Sequence, residues 1–174
     1  MSKFLHEKET KGIITFAGNP FTLLGESIEI GTIAPDATLI DSNLKPVKIS
    51  DFKGKNVILS IFPSIDTGIC SLQTKTFSKL VTGLSNDIVL LNISRDLPFA
   101  LKRFCAAEGL ENALTLSDYR EGEFGLKYGL LIKELMLLSR AVLILDKEGK
   151  LIYKQIVKEV ASEPNYQEAL NILR

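Results

Sequence analysis

Short blocks of apolar residues alternate with polar turn residues along the chain, and these blocks predict alternating strands and helices. Ile13–Phe16 and Phe21–Leu24 flank a Gly-Asn-Pro turn at residues 18–20, which predicts an N-terminal β-hairpin. Asn56–Phe62 and Asp87–Ile93 are nearly continuous apolar runs rich in β-branched residues. Because such runs have no polar face, they are typical of central strands buried on both sides of a sheet.

A helical pattern follows each of these two runs. Residues 67–84 carry apolar side chains three or four positions apart, Leu80 among them, as on one face of a helix. Pro98 and Gly109 bracket a second helix, because proline suits the first helical position and glycine the residue just past the end. The remaining predicted elements are short strands over residues 38–40, 47–49 and 114–116, a hairpin over 140–146 and 151–156, a short helix over 122–128 and a terminal helix over 165–173.

The order of these elements indicates the fold class. A hairpin comes first, then β-α-β-α-β, then β-β-α. Strands that alternate with helices favour one mixed α/β sheet with helices on both faces. A chain of 174 residues, 45% of them hydrophobic, also has the size and composition of about one globular domain. We therefore expect a single α/β domain over residues 1–174.

Composition narrows the classes of partner and of metal site. With 21 Lys and Arg against 21 Asp and Glu, the net charge is zero, so global charge supports neither nucleic acid nor a membrane as a partner. The charged segment at residues 1–9 lacks the apolar run of a signal peptide, and no apolar stretch approaches about 20 residues, which predicts a cytoplasmic protein. Two cysteines and one histidine are fewer than the four ligands of a structural zinc. We expect no metal and no cofactor.

Cys70 is the first candidate for chemistry. It follows a predicted buried strand, a proline at position 63 and Thr67, which can cap the start of a helix. In a first helical turn, free backbone N–H groups and the positive end of the helix dipole favour a thiolate. Position alone fits equally well a buried structural cysteine, the role of most free cysteines.

Cys105 and Arg140 are less informative by position. Cys105 lies in the middle of the second predicted helix, where core packing is the simpler interpretation. Arg140 opens an apolar strand, and its position favours an exposed strand end over a cation folded back toward an anionic site. The chain has no Gly-rich phosphate loop and no Gly-x-Ser-x-Gly segment. Its single histidine is His6, so a nucleophile here must be activated by dipoles and cations.

Three segments together resemble the signatures of one enzyme family. Pro63–Cys70, with the sequence Pro-Ser-Ile-Asp-Thr-Gly-Ile-Cys, resembles the peroxiredoxin active-site signature Pro-x-x-x-Thr/Ser-x-x-Cys. Ser94–Cys105 resembles the signature of the bacterial thiol peroxidases, an atypical two-cysteine subfamily. Ser139–Val142 is similar to the strand that carries the family's arginine, and residues 16–20 and 163–166 also resemble this subfamily.

The resemblance implies a thioredoxin-like fold, a peroxidatic cysteine at Cys70 and a resolving cysteine at Cys105 in the same chain. It also implies a hydroperoxide substrate, thioredoxin as the reductant, and a homodimer. For Cys105 the resemblance implies a resolving cysteine in place of core packing. For Arg140 it implies a cation at the active site in place of an exposed strand end. The subfamily leans toward alkyl hydroperoxides, while the residues themselves leave the preferred peroxide open.

The chemistry of such an enzyme assigns a role to each residue. The Cys70 thiolate attacks one peroxide oxygen, releases water or an alcohol, and becomes a sulfenic acid. Arg140 would stabilise the thiolate and the leaving oxygen, Thr67 would hold the thiolate and orient the peroxide, and Pro63 would shield the sulfur from water. The sulfenic acid condenses with Cys105, and thioredoxin reduces the resulting disulfide by exchange. Because both cysteines lie in predicted helices, we expect local unwinding when the disulfide forms.

Two other functions could use the same cysteine pair. A thioredoxin-like disulfide oxidoreductase without peroxidase chemistry is disfavoured because the chain has no Cys-x-x-Cys segment. A non-enzymatic redox sensor or holdase stays open at this point. Sustained turnover with thioredoxin distinguishes a peroxidase from such a sensor.

Overall fold

The computed structural model describes Phe4 and residues 6–174; residues 1–3 and 5, part of the charged N-terminal segment, lie outside the described residues. The strands are β1 (Glu9–Phe16), β2 (Asn19–Leu24), β3 (Thr38–Asp41), β4 (Pro46–Lys48), β5 (Asn56–Ile61), β6 (Ile88–Ser94), β7 (Leu114–Ser117), β8 (Leu131–Ile132), β9 (Leu137–Leu138), β10 (Ala141–Leu145) and β11 (Leu151–Ile156). The helices are α1 (Gly68–Val81), α2 (Pro98–Ala107), α3 (Glu123–Lys127) and α4 (Tyr166–Asn171), with a 3-10 helix at Ile49–Phe52. Within the described residues, no helix has both the length and the apolar composition needed to cross a bilayer.

The strands form two sheets, and the larger one places the two predicted buried strands at its centre. Its order is β11-β10-β5-β6-β7-β3-β4. Strands β5, β6 and β7 are parallel, whereas β10 runs antiparallel to β5 and β11 antiparallel to β10. The smaller sheet has the order β1-β2-β8-β9 and contains the predicted N-terminal hairpin. The prediction of one mixed sheet at the centre of an α/β fold is confirmed.

Helices cover both faces of the large sheet, as predicted. On one face, Ile58 of β5 packs in a cluster with Phe77 of α1 and Leu170 of α4. On the other face, Leu59 of β5 belongs to the main core together with Phe124 of α3. Because parallel strands are joined by right-handed crossovers, α1 and α2 lie on the same face of the sheet. Both cysteine-bearing helices therefore lie on one side of the central strands.

Two local predictions differ from the structure. The first long helix begins after Thr67 as predicted but ends at Val81, and Leu80 is exposed although the apolar spacing placed it on the buried face. Strands β8 and β9 were not predicted, because each has only two residues and gives no readable periodicity. They extend the N-terminal hairpin, since β8 pairs with β2. Leu138 of β9 thus belongs to the main core, where it is fully buried.

Asp118 fastens α3 to the end of β7. Its buried carboxylate accepts hydrogen bonds from the backbone N–H of Phe124 at 3.0 Å and of Gly125 at 2.9 Å. A Cβ at position 125 would lie 2.8 Å from Leu138 Cδ2 and 3.2 Å from Leu131 Cβ, so any larger residue there would force the Leu138 side chain to shift. Burial raises the pKa of Asp118 to about 6, and the two backbone N–H groups offset only part of this rise.

The raised pKa of Asp118 predicts a pH-dependent stability. Its ordinary pKa is 3.8, so between about pH 4 and pH 6 the unfolded chain has lost a proton that the folded chain still binds. The contribution of Asp118 to the free energy of unfolding should therefore fall by about 3 kcal/mol as the pH rises through this window. Chemical denaturation gives the free energy of unfolding of the wild type and of Asp118→Asn, which cannot titrate at this position. The stability of the wild type relative to this variant should fall as the pH rises. A difference that stays constant from pH 4 to pH 7 would contradict the raised pKa.

Candidate active site

Cys70 is held at the start of α1 by the end of the central strand β5. After β5 the chain passes through Pro63 and a short loop to Thr67, whose backbone is extended (φ −94°, ψ 146°). The Thr67 hydroxyl oxygen accepts a hydrogen bond from the backbone N–H of Cys70 at 3.3 Å and caps the helix. Cys70 therefore lies in the first turn, as predicted, and it is fully buried against Phe62 and Leu101.

Arg140 reaches Cys70 because β10 lies beside β5. The antiparallel register pairs Ala141 with Ile61, so the residue before β10 lies next to the end of β5. Arg140 is 2% exposed, which shows that the interpretation as an exposed strand end, favoured by position alone, was wrong. Its Nη2 donates a hydrogen bond to Cys70 Sγ at 3.2 Å. The strand register across the sheet determines this contact, and a single strand's residue pattern does not reveal it.

The electrostatics of this contact favour a negative sulfur. Arg140 donates from Nε to the carbonyl oxygen of Val160 and from Nη1 to Gln73 Oε1, both at 2.7 Å. Among the described residues no carboxylate lies within 4.0 Å of its guanidinium. A buried cation without a counter-charge is costly, and the first turn of a helix adds positive potential at Cys70. The arrangement can therefore stabilise a thiolate on Cys70.

Gln73 belongs to this site although the sequence analysis did not identify it. It is fully buried one turn after Cys70, and its Nε2 donates to Ser60 Oγ at 2.9 Å while its Oε1 accepts from Arg140. Gln73 thus fixes the guanidinium to the central strand β5. The available signal was a polar side chain three positions after Cys70, on the same helix face.

A small cavity of about 230 Å³ opens beside the guanidinium. Its lining residues come from the Cys70 loop, from Arg140, and from two outer segments at the ends of β1 and β11: Phe16, Pro63, Thr67, Gly68, Ile69, Arg140, Val160 and Ala161. Glu159 joins the two outer segments, because its carboxylate accepts from the backbone N–H of Gly18 and of Ala161, both at 2.8 Å. Three larger cavities, of about 250, 430 and 620 Å³, have no lining residue in common with this one. Thr67 and Arg140 supply the polar side chains in the wall of the small cavity.

Cys105 occupies a separate place on α2. It is 6% exposed, and both cysteines are free thiols. Burial, and to a smaller extent the negative charge of Glu111, raise the pKa of Cys105. The structure therefore brings Thr67 and Arg140 into contact with Cys70 and places Pro63 with them in the wall of the small cavity, while Cys105 lies on α2.

Comparison with known proteins identifies the family. Residues 29–170 match the family model described as Redoxin. A thiol peroxidase of Streptococcus parasanguinis is 50% identical over 92% of this chain and 97% of that protein. One of Oceanobacillus iheyensis is 48% identical over the same shares. The solved peroxiredoxin-like protein from Aquifex aeolicus is 36% identical, with a TM-score of 0.87 over 94% of this chain and 96% of that one.

The chain therefore belongs to the Redoxin family. Within that family it belongs with the thiol peroxidases, since relatives of that name match it at nearly full length. The thioredoxin-like fold that the motifs implied is confirmed by the family model and by the structural likeness.

The contact between Arg140 and Cys70 predicts the reactivity of the thiol. In a Cys105→Ser background Cys70 is the sole cysteine, and the thiolate is its reactive form. Replacing Arg140 with methionine removes the cation, so alkylation by iodoacetamide at pH 7 should slow by about tenfold or more, the equivalent of one charge-assisted hydrogen bond. Mass spectrometry over time gives the rate.

Arg103→Met is the matched control, because Arg103 is exposed on α2. Thermal unfolding of both variants shows whether they remain folded. If Arg140→Met and Arg103→Met are alkylated at equal rates, the guanidinium does not activate Cys70.

Proposed function

We propose that this chain reduces hydroperoxides through Cys70 and Cys105 and is recycled by a dithiol reductant. The observation that carries the proposal is the 3.2 Å contact between the buried Arg140 guanidinium and the buried Cys70 sulfur. A buried cation whose other described hydrogen-bond partners are neutral favours an anionic sulfur, and a thiolate is the form of cysteine that attacks peroxides. Membership among the thiol peroxidases supports the same reaction.

In the first step, Cys70 Sγ attacks the nearer oxygen of the peroxide. An S–O bond forms and the O–O bond breaks, so the sulfur is oxidised to a sulfenic acid while the other oxygen leaves as water or an alcohol after taking up a proton. Arg140 would stabilise the charge on this leaving oxygen, because a fixed cation in a dry site acts without reorganisation. The Thr67 hydroxyl can both donate and accept, and would orient the peroxide. Pro63 is buried and lines the same cavity as Thr67, and it would shield the sulfur from water.

The residues that line the cavity indicate which hydroperoxides it can hold. Phe16, Ile69, Val160 and Ala161 line it with apolar surface beside the polar groups of Thr67 and Arg140. Such a lining accommodates the organic group of an alkyl hydroperoxide and also admits hydrogen peroxide. We propose both as substrates, with a preference for the alkyl compounds.

In the second step, the Cys105 sulfur attacks the sulfenic acid. An S–S bond forms and water leaves, which makes the Cys70–Cys105 disulfide. Cys105 lies within α2, and Cys70 lies in the first turn of α1. The proposal therefore requires one or both helices to unwind locally. Unwinding would also expose the Cys105 thiol to water and remove the burial that raises its pKa.

In the third step, a dithiol protein reduces the disulfide by exchange and takes up the oxidation itself. We propose thioredoxin as this protein, acting in the cytoplasm on a homodimer of the chain. These three assignments rest on the family and on the cysteine pair.

Peroxide-dependent oxidation of NADPH, with thioredoxin and thioredoxin reductase present, tests the proposal. The wild type should turn over continuously, and Cys70→Ser should give only the background measured without enzyme. Cys105→Ser should consume about one equivalent of peroxide and then stop, because its sulfenic acid lacks the resolving thiol.

Each alternative gives a different result. A wild type that reacts once with peroxide but is not recycled by thioredoxin would indicate a sensor or a different reductant. A wild type whose Cys70 takes up no oxygen at all would overturn the peroxidase proposal.

A further inference from the structure

Asp96 accepts three side-chain and backbone hydrogen bonds in the loop between β6 and α2. Its Oδ1 accepts from Ser64 Oγ at 2.7 Å, and its Oδ2 accepts from the backbone N–H of Ile65 at 2.7 Å and from Ser94 Oγ at 2.6 Å. We call Ser64, Ile65, Ser94 and Asp96 the Asp96 cluster. Hydrogen bonds to a carboxylate are about twice as strong as neutral ones, so the cluster is a strong local attachment.

The Asp96 cluster joins the segments that lead to the two cysteines. Ser64 and Ile65 lie in the loop that leads from β5 to Cys70, and Asp96 lies two residues before Pro98, where the helix of Cys105 begins. Ile65 is 3% exposed and packs in the same apolar cluster as Cys70. A carboxylate bound to the backbone N–H of Ile65 therefore also fixes the apolar side chain that packs with Cys70.

Hydrogen bonds to the central sheet hold the backbone of Asp96 itself. Its backbone carbonyl oxygen accepts a hydrogen bond from Ser117 Oγ at the end of β7, and its backbone N–H donates to Ser94 Oγ at 3.2 Å. The central sheet thus holds Asp96, and Asp96 holds the Cys70 loop. Unwinding of the first turn of α1 would pull on the two bonds to Ser64 and Ile65.

We propose that Asp96 is a positioning residue that keeps the Cys70 loop in the conformation that attacks peroxide, and that its bonds to Ser64 and Ile65 oppose the opening needed for the disulfide. This inference rests on the proposed function of Cys70 and Cys105. Weakening the Asp96 cluster should therefore act in opposite directions on the two steps. Oxidation of Cys70 should slow, whereas closure of the disulfide should not slow and should become faster.

Asp96→Asn tests the inference, because the amide keeps a similar shape but has only one acceptor oxygen for the three donors. In the Cys105→Ser background, stopped-flow measurement gives the second-order rate constant of Cys70 with hydrogen peroxide. With both cysteines present, rapid quenching and mass spectrometry at excess peroxide give the rate of disulfide closure. We expect the first constant to fall by about tenfold, as for loss of a hydrogen bond to a charged group, and the second to rise.

Two further variants make the test specific. Asp66→Asn removes a charge from the exposed carboxylate in the same loop, and both rate constants should stay within about threefold of the parent. Ser64→Ala removes one bond of the Asp96 cluster and should shift both constants in the same directions as Asp96→Asn, but less. It also tests the inference if Asp96→Asn fails to fold.

The outcomes distinguish a failure of this inference from a failure of the proposed function. Equal behaviour of Asp96→Asn and Asp66→Asn, or disulfide closure that does not become faster in Asp96→Asn and Ser64→Ala, would overturn the role of Asp96 while Cys70 remains the reacting residue. A Cys105→Ser parent that does not react with peroxide would overturn the proposed function and this inference together.

Discussion

A positive charge buried without a carboxylate is the constraint on which this site depends. Arg140 is 2% exposed, and its described partners are a carbonyl oxygen, an amide oxygen and the Cys70 sulfur. Removing a guanidinium from water costs several kcal/mol unless it is paired and fully hydrogen-bonded. The sulfur is the partner that can become an anion, so the cost of burying the cation is offset most when Cys70 is a thiolate.

The fold brings the cation and the sulfur together from two directions. Cys70 follows β5 along the chain, and Arg140 precedes β10, which lies antiparallel to β5 in the sheet. Gln73 then ties the guanidinium to Ser60 within β5 itself. The site is therefore built on the central strands of the large sheet, where a small error in position would weaken a contact of 3.2 Å.

The proposed cycle also requires movement near the two cysteines, which lie on elements anchored to different extents. Arg140 and Gln73 are anchored to the central strands, whereas Cys105 lies on a helix of 10 residues with exposed side chains along much of its length. Helices this short are marginal on their own and depend on packing. A site anchored in the central sheet, with its second cysteine on a short outer helix, can therefore keep the first step in place and still permit the second.

Prediction from the sequence succeeded where the signal is local. The apolar run at Asn56–Phe62, the cap at Thr67 and the bracketing of α2 by Pro98 and Gly109 all lie within a few residues of the feature they determine. The burial of Arg140 was missed because it depends on pairing between strands that are distant in the chain. Gln73 carried only the weak signal of its spacing, and the two-residue strands β8 and β9 carried no periodicity at all.

The reaction of Cys70 with peroxide and its resolution by Cys105 are tested by identifying which sulfur atoms are oxidised after a single encounter with peroxide. The reduced wild type is mixed with one equivalent of hydrogen peroxide, blocked with an alkylating agent and mapped by mass spectrometry under non-reducing conditions. We expect one product, a disulfide between Cys70 and Cys105 within a single chain, with the methionines unchanged. Oxygen retained on Cys105, or a Cys70 that is recovered fully alkylated while peroxide is consumed elsewhere, would contradict it.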